Sequence, residues 1–137
     1  LLSEPQIQRY SRHILLREVG GTGQQRLLNA SIGLPRLDAG GRACALWLAR
    51  AGVGALALPE DRSPAPLVDQ AGLLMAADAG LPLVDAVKQR LRFHAPDVVF
   101  TDASDDRTEP GATTAEGAQA AVDIVRTILL SKPGGTR

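Results

Sequence analysis

Residues 31–58, SIGLPRLDAGGRACALWLARAGVGALAL, decide how the rest of the chain is read. Ser31 to Leu34 is an apolar run of strand length, and Pro35, which has no N–H to give a ladder, ends it. Gly41 to Ala51 has helix composition throughout, with Gly52 placed just past the last turn, where a glycine adopts the left-handed conformation that closes a helix. Leu46, Trp47 and Leu48 make this helix apolar around much of its circumference, so burial on more than one side is expected. Ala55 to Leu58 follows as a second strand. A strand, a helix and a strand in close succession imply parallel strands joined by a crossover helix, and hence an α/β class.

Working outward, Pro59 to Pro66 reads as a loop, Pro66 opens a helix to about Ala77, and Pro82 opens another in which Val84, Val87 and Leu91 share a face. Val98 to Phe100 forms a third strand. Upstream, Ser3 and Gln6 make a capping-box pair with Pro5 in the first turn, and Ile7, Tyr10 and Ile14 line one side of a helix that Gly20 and Gly21 stop after Val19. A short helix, Gln24 to Leu28, leads into the first strand. Residues 102–113 are acidic, rich in turn formers and without periodicity, which predicts an exposed loop. A last helix starts at the Thr113 to Glu116 capping box, buries Ala121, Val122, Val125, Ile128 and Leu129, and ends at Lys132-Pro133-Gly134.

The 137 residues suit one domain, and with one Trp, one Tyr and two Phe its core is aliphatic. Fifteen basic and fifteen acidic residues cancel, so no overall field draws the chain to nucleic acid or an anionic membrane, and neither is an expected partner. No apolar run reaches membrane-spanning length, and LLSEPQIQRYSRH turns polar too soon for a signal peptide, so a cytoplasmic protein is expected. Cys44 is the single cysteine, which excludes an internal disulfide and any zinc site needing two thiolates from this chain.

The segment LSEPQIQRYSRHILLREVGGTGQQRLLNA resembles the opening of the ThiF/MoeB/HesA family, the bacterial relatives of ubiquitin-activating enzymes, through Arg9, Tyr10, Arg12, Gly20, Gly23, Gln24 and Leu27. LARAGVGALAL, GLPLVDAVKQRLRFHAPDVVF and GATTAEGAQAAVDIVRTILLSKPGG resemble, in order, the end of the family's nucleotide-loop helix with its second strand, a crossover helix with its third strand, and its late helix. The resemblance implies a truncated, degenerate member. Its fold would be a Rossmann-like unit of about three parallel strands with helices on both faces, in a single domain over 1–137. Within it, 1–29 is an N-terminal helical segment, 30–101 the core, 102–113 the acidic loop and 114–132 the late helix.

Family members bind ATP and magnesium and adenylate the C-terminal glycine of a ubiquitin-like sulfur-carrier protein. That chemistry needs a glycine-rich turn after the first strand, so that backbone N–H groups and a helix N-terminus can reach the phosphates. Here RLDAGG stands where the family has Gly-x-Gly-Gly-x-Gly: Arg36, Asp38 and Ala39 replace three glycines, and Gly41 alone is kept. Asp38 also sets a like charge against a phosphate, at a cost of about 1 to 4 kcal/mol at ~4 Å depending on the effective dielectric. After the second strand, Glu60 can stand in for the family's ribose-binding acid. The polar residues that hold phosphate and metal fall on Arg62, Val68, Ala71 and Leu83, which cannot do that work. Between Phe100 and Gly111 the resemblance omits the fourth strand, the magnesium-binding Asp, the zinc cysteines and the catalytic cysteine. ATP and magnesium are thus expected to be lost as cofactors, leaving Gly41 and Glu60 as residual nucleotide-site residues and no catalytic residue acting in cis.

Arg12 is the family's functional residue that survives; the resemblance implies that it reaches across a dimer to the neighbouring subunit's ATP. Cys44, inside an apolar helix, reads as a buried thiol and not a thioester cysteine, and His13 and His94 read as surface residues. Asp38, Glu60 and Asp102 each follow a strand, where open α/β sheets bind ligands, although acids are also ordinary turn and helix-start residues. Three readings of function follow. The first is a non-catalytic homologue serving as structural or regulatory partner, in a homodimer or a heterodimer with a full-length ThiF/MoeB-like protein, with a ubiquitin-like sulfur carrier as a further partner. The second is a small-ligand or metal-binding protein reusing the cleft; the third is a chain with no retained activity. Losing the fourth strand would leave the first strand near a sheet edge, which also predicts a dimer.

Overall fold

The computed structural model describes residues 21–102 and 106–130. The helix expected before Gly20, with Arg9, Tyr10, Arg12 and His13, lies outside them, as does the expected stop at Lys132 to Gly134. Helix α1 spans Gly21–Asn29, so Gly21 opens a helix here. Strand β1, Ser31–Gly33, leads to helix α2, Ala39–Ala51, and strand β2, Ala55–Ala57. Helix α3, Leu83–His94, precedes strand β3, Val99–Thr101. A two-residue strand β4, Asp106–Arg107, and helix α4, Thr114–Leu130, complete the order.

All the strands are parallel, in the order β3-β2-β1-β4. Ile32, Leu56 and Phe100 are in register across three of them and point to one face. Ile32, Leu56, Leu37, Leu48 and Leu91 form part of one aliphatic core, so the expected α/β unit of parallel strands and crossover helices is what the chain forms. Gly52 closes α2 at φ 102°, in the left-handed region expected of it. Thr113 and Glu116 form the expected capping box: the Glu116 N–H donates to Thr113 Oγ1 and the Thr113 N–H to Glu116 Oε1, both at 3.1 Å.

Two expectations are corrected. Residues 66–77 form turns, with a single 3-10 turn at Ala76–Asp78, and not a helix. Asp69 explains this. Its carboxylate accepts the N–H groups of Ala71, Leu73 and Leu74 at 2.8 to 3.0 Å, offering the backbone partners that a helix would otherwise supply, and Gly72 turns the chain at φ 76°. Secondly, the stretch expected as loop 102–113 contains β4, which pairs with β1 at Ile32 and Gly33, and the Thr108 N–H donates to the Gly33 carbonyl. β1 is therefore interior to the sheet, and no uncovered first strand calls for a dimer.

Candidate functional site

The carboxyl ends of β1 and β2 open into a cavity of about 590 Å³, lined by Arg36, Asp38, Arg42, Glu60, Asp61 and Leu83 among others. This is where open α/β sheets take ligands. Its chemistry is set by the start of α2. A helix N-terminus carries free N–H groups and a partial positive charge, which together make an anion site. Here two of those donors, the Gly40 and Gly41 N–H groups, already have acceptors within the chain. The Gly41 N–H donates to Asp38 Oδ1 at 2.9 Å, with Asp38 as the N-cap, and the Gly40 N–H donates to the Ala112 carbonyl at 2.9 Å. Arg36 holds the cap in place, its Nε 3.1 Å from Asp38 Oδ2 and its Nη1 2.9 Å from Glu109 Oε1.

Gly41 is required by a close approach of the backbone, because a β-carbon there would overlap the Arg36 carbonyl. Gly40 is held in the same way against the Gly111 carbonyl. These glycines serve contacts within the protein, and the turn is folded onto itself. A triphosphate does not fit the residues present: its acceptors would have to displace a carboxylate and a carbonyl, then sit beside the charge of Asp38.

Glu60 lies exposed at the rim, 3.6 Å from Arg62, and Arg62 also pairs with Asp85 at 3.0 Å. Of the positions expected to stand where the family has its phosphate- and metal-holding residues, Val68 is exposed, whereas Ala71 and Leu83 are buried. Asp38 and Glu60 both line the cavity, whereas Asp102 is not part of its lining, and among the described residues no three His, Cys, Asp or Glu side chains are placed to share a metal ion. Cys44 is fully buried, and burial pushes its thiol up to about 12. His94 is exposed at the end of α3; partial burial, then the cations of Arg50 and Arg90, hold it below the usual imidazole value.

Reading the sequence missed two ion pairs that hold the segment between β2 and α3, the first of which includes Arg42 of the cavity lining. Arg42, in α2, reaches Asp69 at 2.9 Å and the Leu37 carbonyl at 2.8 Å, with only 10% and 1% of the two charged side chains exposed. Asp78 accepts from Arg90 through both oxygens at 2.7 and 3.0 Å, and also accepts the Met75 N–H. No local spacing announces either pair, since their partners are brought together by tertiary packing. The role of Asp38 did have a signal: it stands directly before the helix, the position where Asp is favoured as a cap.

No protein-family model matches the chain. It is similar to the sulfur carrier protein ThiS adenylyltransferase of Escherichia coli, 35% identical over 101 residues that make up 73% of this chain and 40% of that protein. It is 32% identical over 102 residues to the SAMP-activating enzyme E1 of Haloferax volcanii, covering 71% of this chain and 36% of that one. Among solved structures, E. coli MccB superposes with a TM-score of 0.56 at 20% identity, over 71% of this chain and 31% of MccB. The structural likeness defines the fold class, a Rossmann-like α/β unit. The sequence likeness goes further, and the chain belongs to the ThiF/MoeB-like family. It spans two fifths or less of the length of the curated relatives it matches.

Proposed function

We propose that this chain does not adenylate through its own nucleotide turn and acts as a structural or regulatory partner of a full-length ThiF/MoeB-type protein, in a homodimer or a heterodimer. The observation that carries this reading is the Asp38 carboxylate at 2.9 Å from the Gly41 N–H, which puts the chain's own anion where a phosphate would bind. Adenylation depends on positioned charges that stabilise the transferring group, and an anion fixed at the helix start opposes them. A ubiquitin-like sulfur carrier is the further partner that such an assembly would present to its active half.

Arg12, outside the described residues, is the one group in this reading with a chemical task, contributed in trans to the partner's ATP. The test has two parts. The isolated chain should give no ATP–pyrophosphate exchange above a blank, and measurable exchange refutes the reading. With a full-length partner, Arg12→Ala should slow the partner's adenylation while leaving the complex assembled; equal loss of assembly and activity would make Arg12 structural. The cavity beside Glu60 favours a second reading, a small ligand held in the Rossmann-like cleft, for which ligand-induced stabilisation on thermal unfolding is the screen.

A further inference from the structure

β3 stands at one end of the sheet, and β2 is its neighbour on one side, with no described strand on the other. The Val99 N–H donates to the Gly54 carbonyl, so Val99 and Thr101 turn their backbone groups to β2, while the N–H and carbonyl of Phe100, between them, point to the open edge. Side chains alternate across the same strand. On the α3 side, the Phe100 ring carries two cations, with the Arg92 guanidinium 5.0 Å and the Lys88 ammonium 5.8 Å from its centre. Neither forms an ion pair with a described carboxylate. On the opposite side Val99 is 57% exposed.

We propose that the β3 edge is a docking strand for an extended segment of a partner protein in which acidic and apolar residues alternate. A strand added beside Phe100 would direct every second side chain to the α3 side, where Lys88 and Arg92 offer uncompensated charge. The intervening side chains would meet Val99. Main-chain hydrogen bonds supply affinity in this mode and the alternating side chains supply selectivity, so charge complementarity on one face and an aliphatic contact on the other define the occupant. The surface lies away from the α2 N-terminus, and the inference holds whether or not that turn binds nucleotide.

The probe is an end-blocked, fluorescein-labelled peptide alternating glutamate and valine, titrated into the full chain and followed by anisotropy, with amide shifts mapped by NMR. Saturable binding with shifts centred on Val98 to Thr101 is expected. Lys88→Glu with Arg92→Glu should weaken it by about tenfold or more, consistent with charge complementarity at an interface. A Lys88→Gln, Arg92→Gln variant should fall between, and circular dichroism checks that both variants fold. N-methylation of alternate peptide nitrogens should abolish binding, since strand addition uses those N–H groups. The proposal is overturned by absence of saturable binding, by equal affinity for the charge-reversed or N-methylated forms, or by a single-stranded oligonucleotide of equal charge binding more tightly. Self-association of the charge-reversed variant with unchanged peptide affinity also overturns it, since the cations would then only guard the edge.

Discussion

Gly117 of α4 lies so close to Gly40 of α2 that a β-carbon on Gly117 would overlap the Gly40 carbonyl. The two helices meet here at backbone distance, near the start of each, and this contact sets where the turn before α2 can sit. Gly117→Ala must push α4 away or shift α2, at a cost of about 1 to 3 kcal/mol by comparison with overpacked cores. Urea unfolding should register that loss, and a variant as stable as the parent would contradict the assigned packing.

Asp69 organises the loop between β2 and α3. Burial pushes its carboxyl up, but the N–H groups of Leu74 and Ala71 and the Arg42 guanidinium outweigh this and hold it below its ordinary 3.8. A carboxyl depressed in the folded state contributes stability above its unfolded pKa and loses it as pH falls through the folded value. Stability should therefore fall on acidification below about pH 4. Asp69→Asn should flatten that acid limb. Asp69→Ala leaves Arg42 buried without its partner and strands three N–H groups, for a loss of about 3 kcal/mol at neutral pH. Unfolding curves from pH 2 to 7 compare the three proteins; an Asp69→Asn profile parallel to the parent's would count against the assignment.

The parts of the fold legible in the sequence are those set by neighbouring residues. Gly52 closes α2, and Thr113 with Glu116 opens α4, because both signals act within a single turn of chain. The helix expected from Pro66 failed because Asp69 bonds the backbone ahead of it, a competition that composition alone does not reveal. β4 is two residues long and exists through pairing with β1, so no periodicity marks it. At the site, the replaced glycines were visible, and so was the charge of Asp38. The cap at Asp38 carried a sequence signal, but reading the helix from Gly41 placed its start two residues late and so passed over it.

Cys44 has no exposed surface, and its thiol is pushed up to about 12 by burial. It should stay inert to a thiol-specific disulfide reagent at pH 8 in the native protein and react at once in denaturant. Rapid native labelling would place the thiol at a surface and reopen its chemistry.

Asp38→Ala removes the cap from α2 and should cost about 1 kcal/mol in thermal or urea unfolding. Asp38→Asn keeps an acceptor and should cost less. If both variants matched the parent, the Asp38 to Gly41 hydrogen bond would not be holding the turn.

The Asp38 carboxylate of the chain itself occupies the α2 N-terminus. The most direct test of that occupancy is isothermal calorimetry of ATP with magnesium into the isolated chain. No saturable heat is predicted in the micromolar range, and a micromolar, magnesium-dependent ATP site lost on mutation of the residues around Gly41 would contradict it.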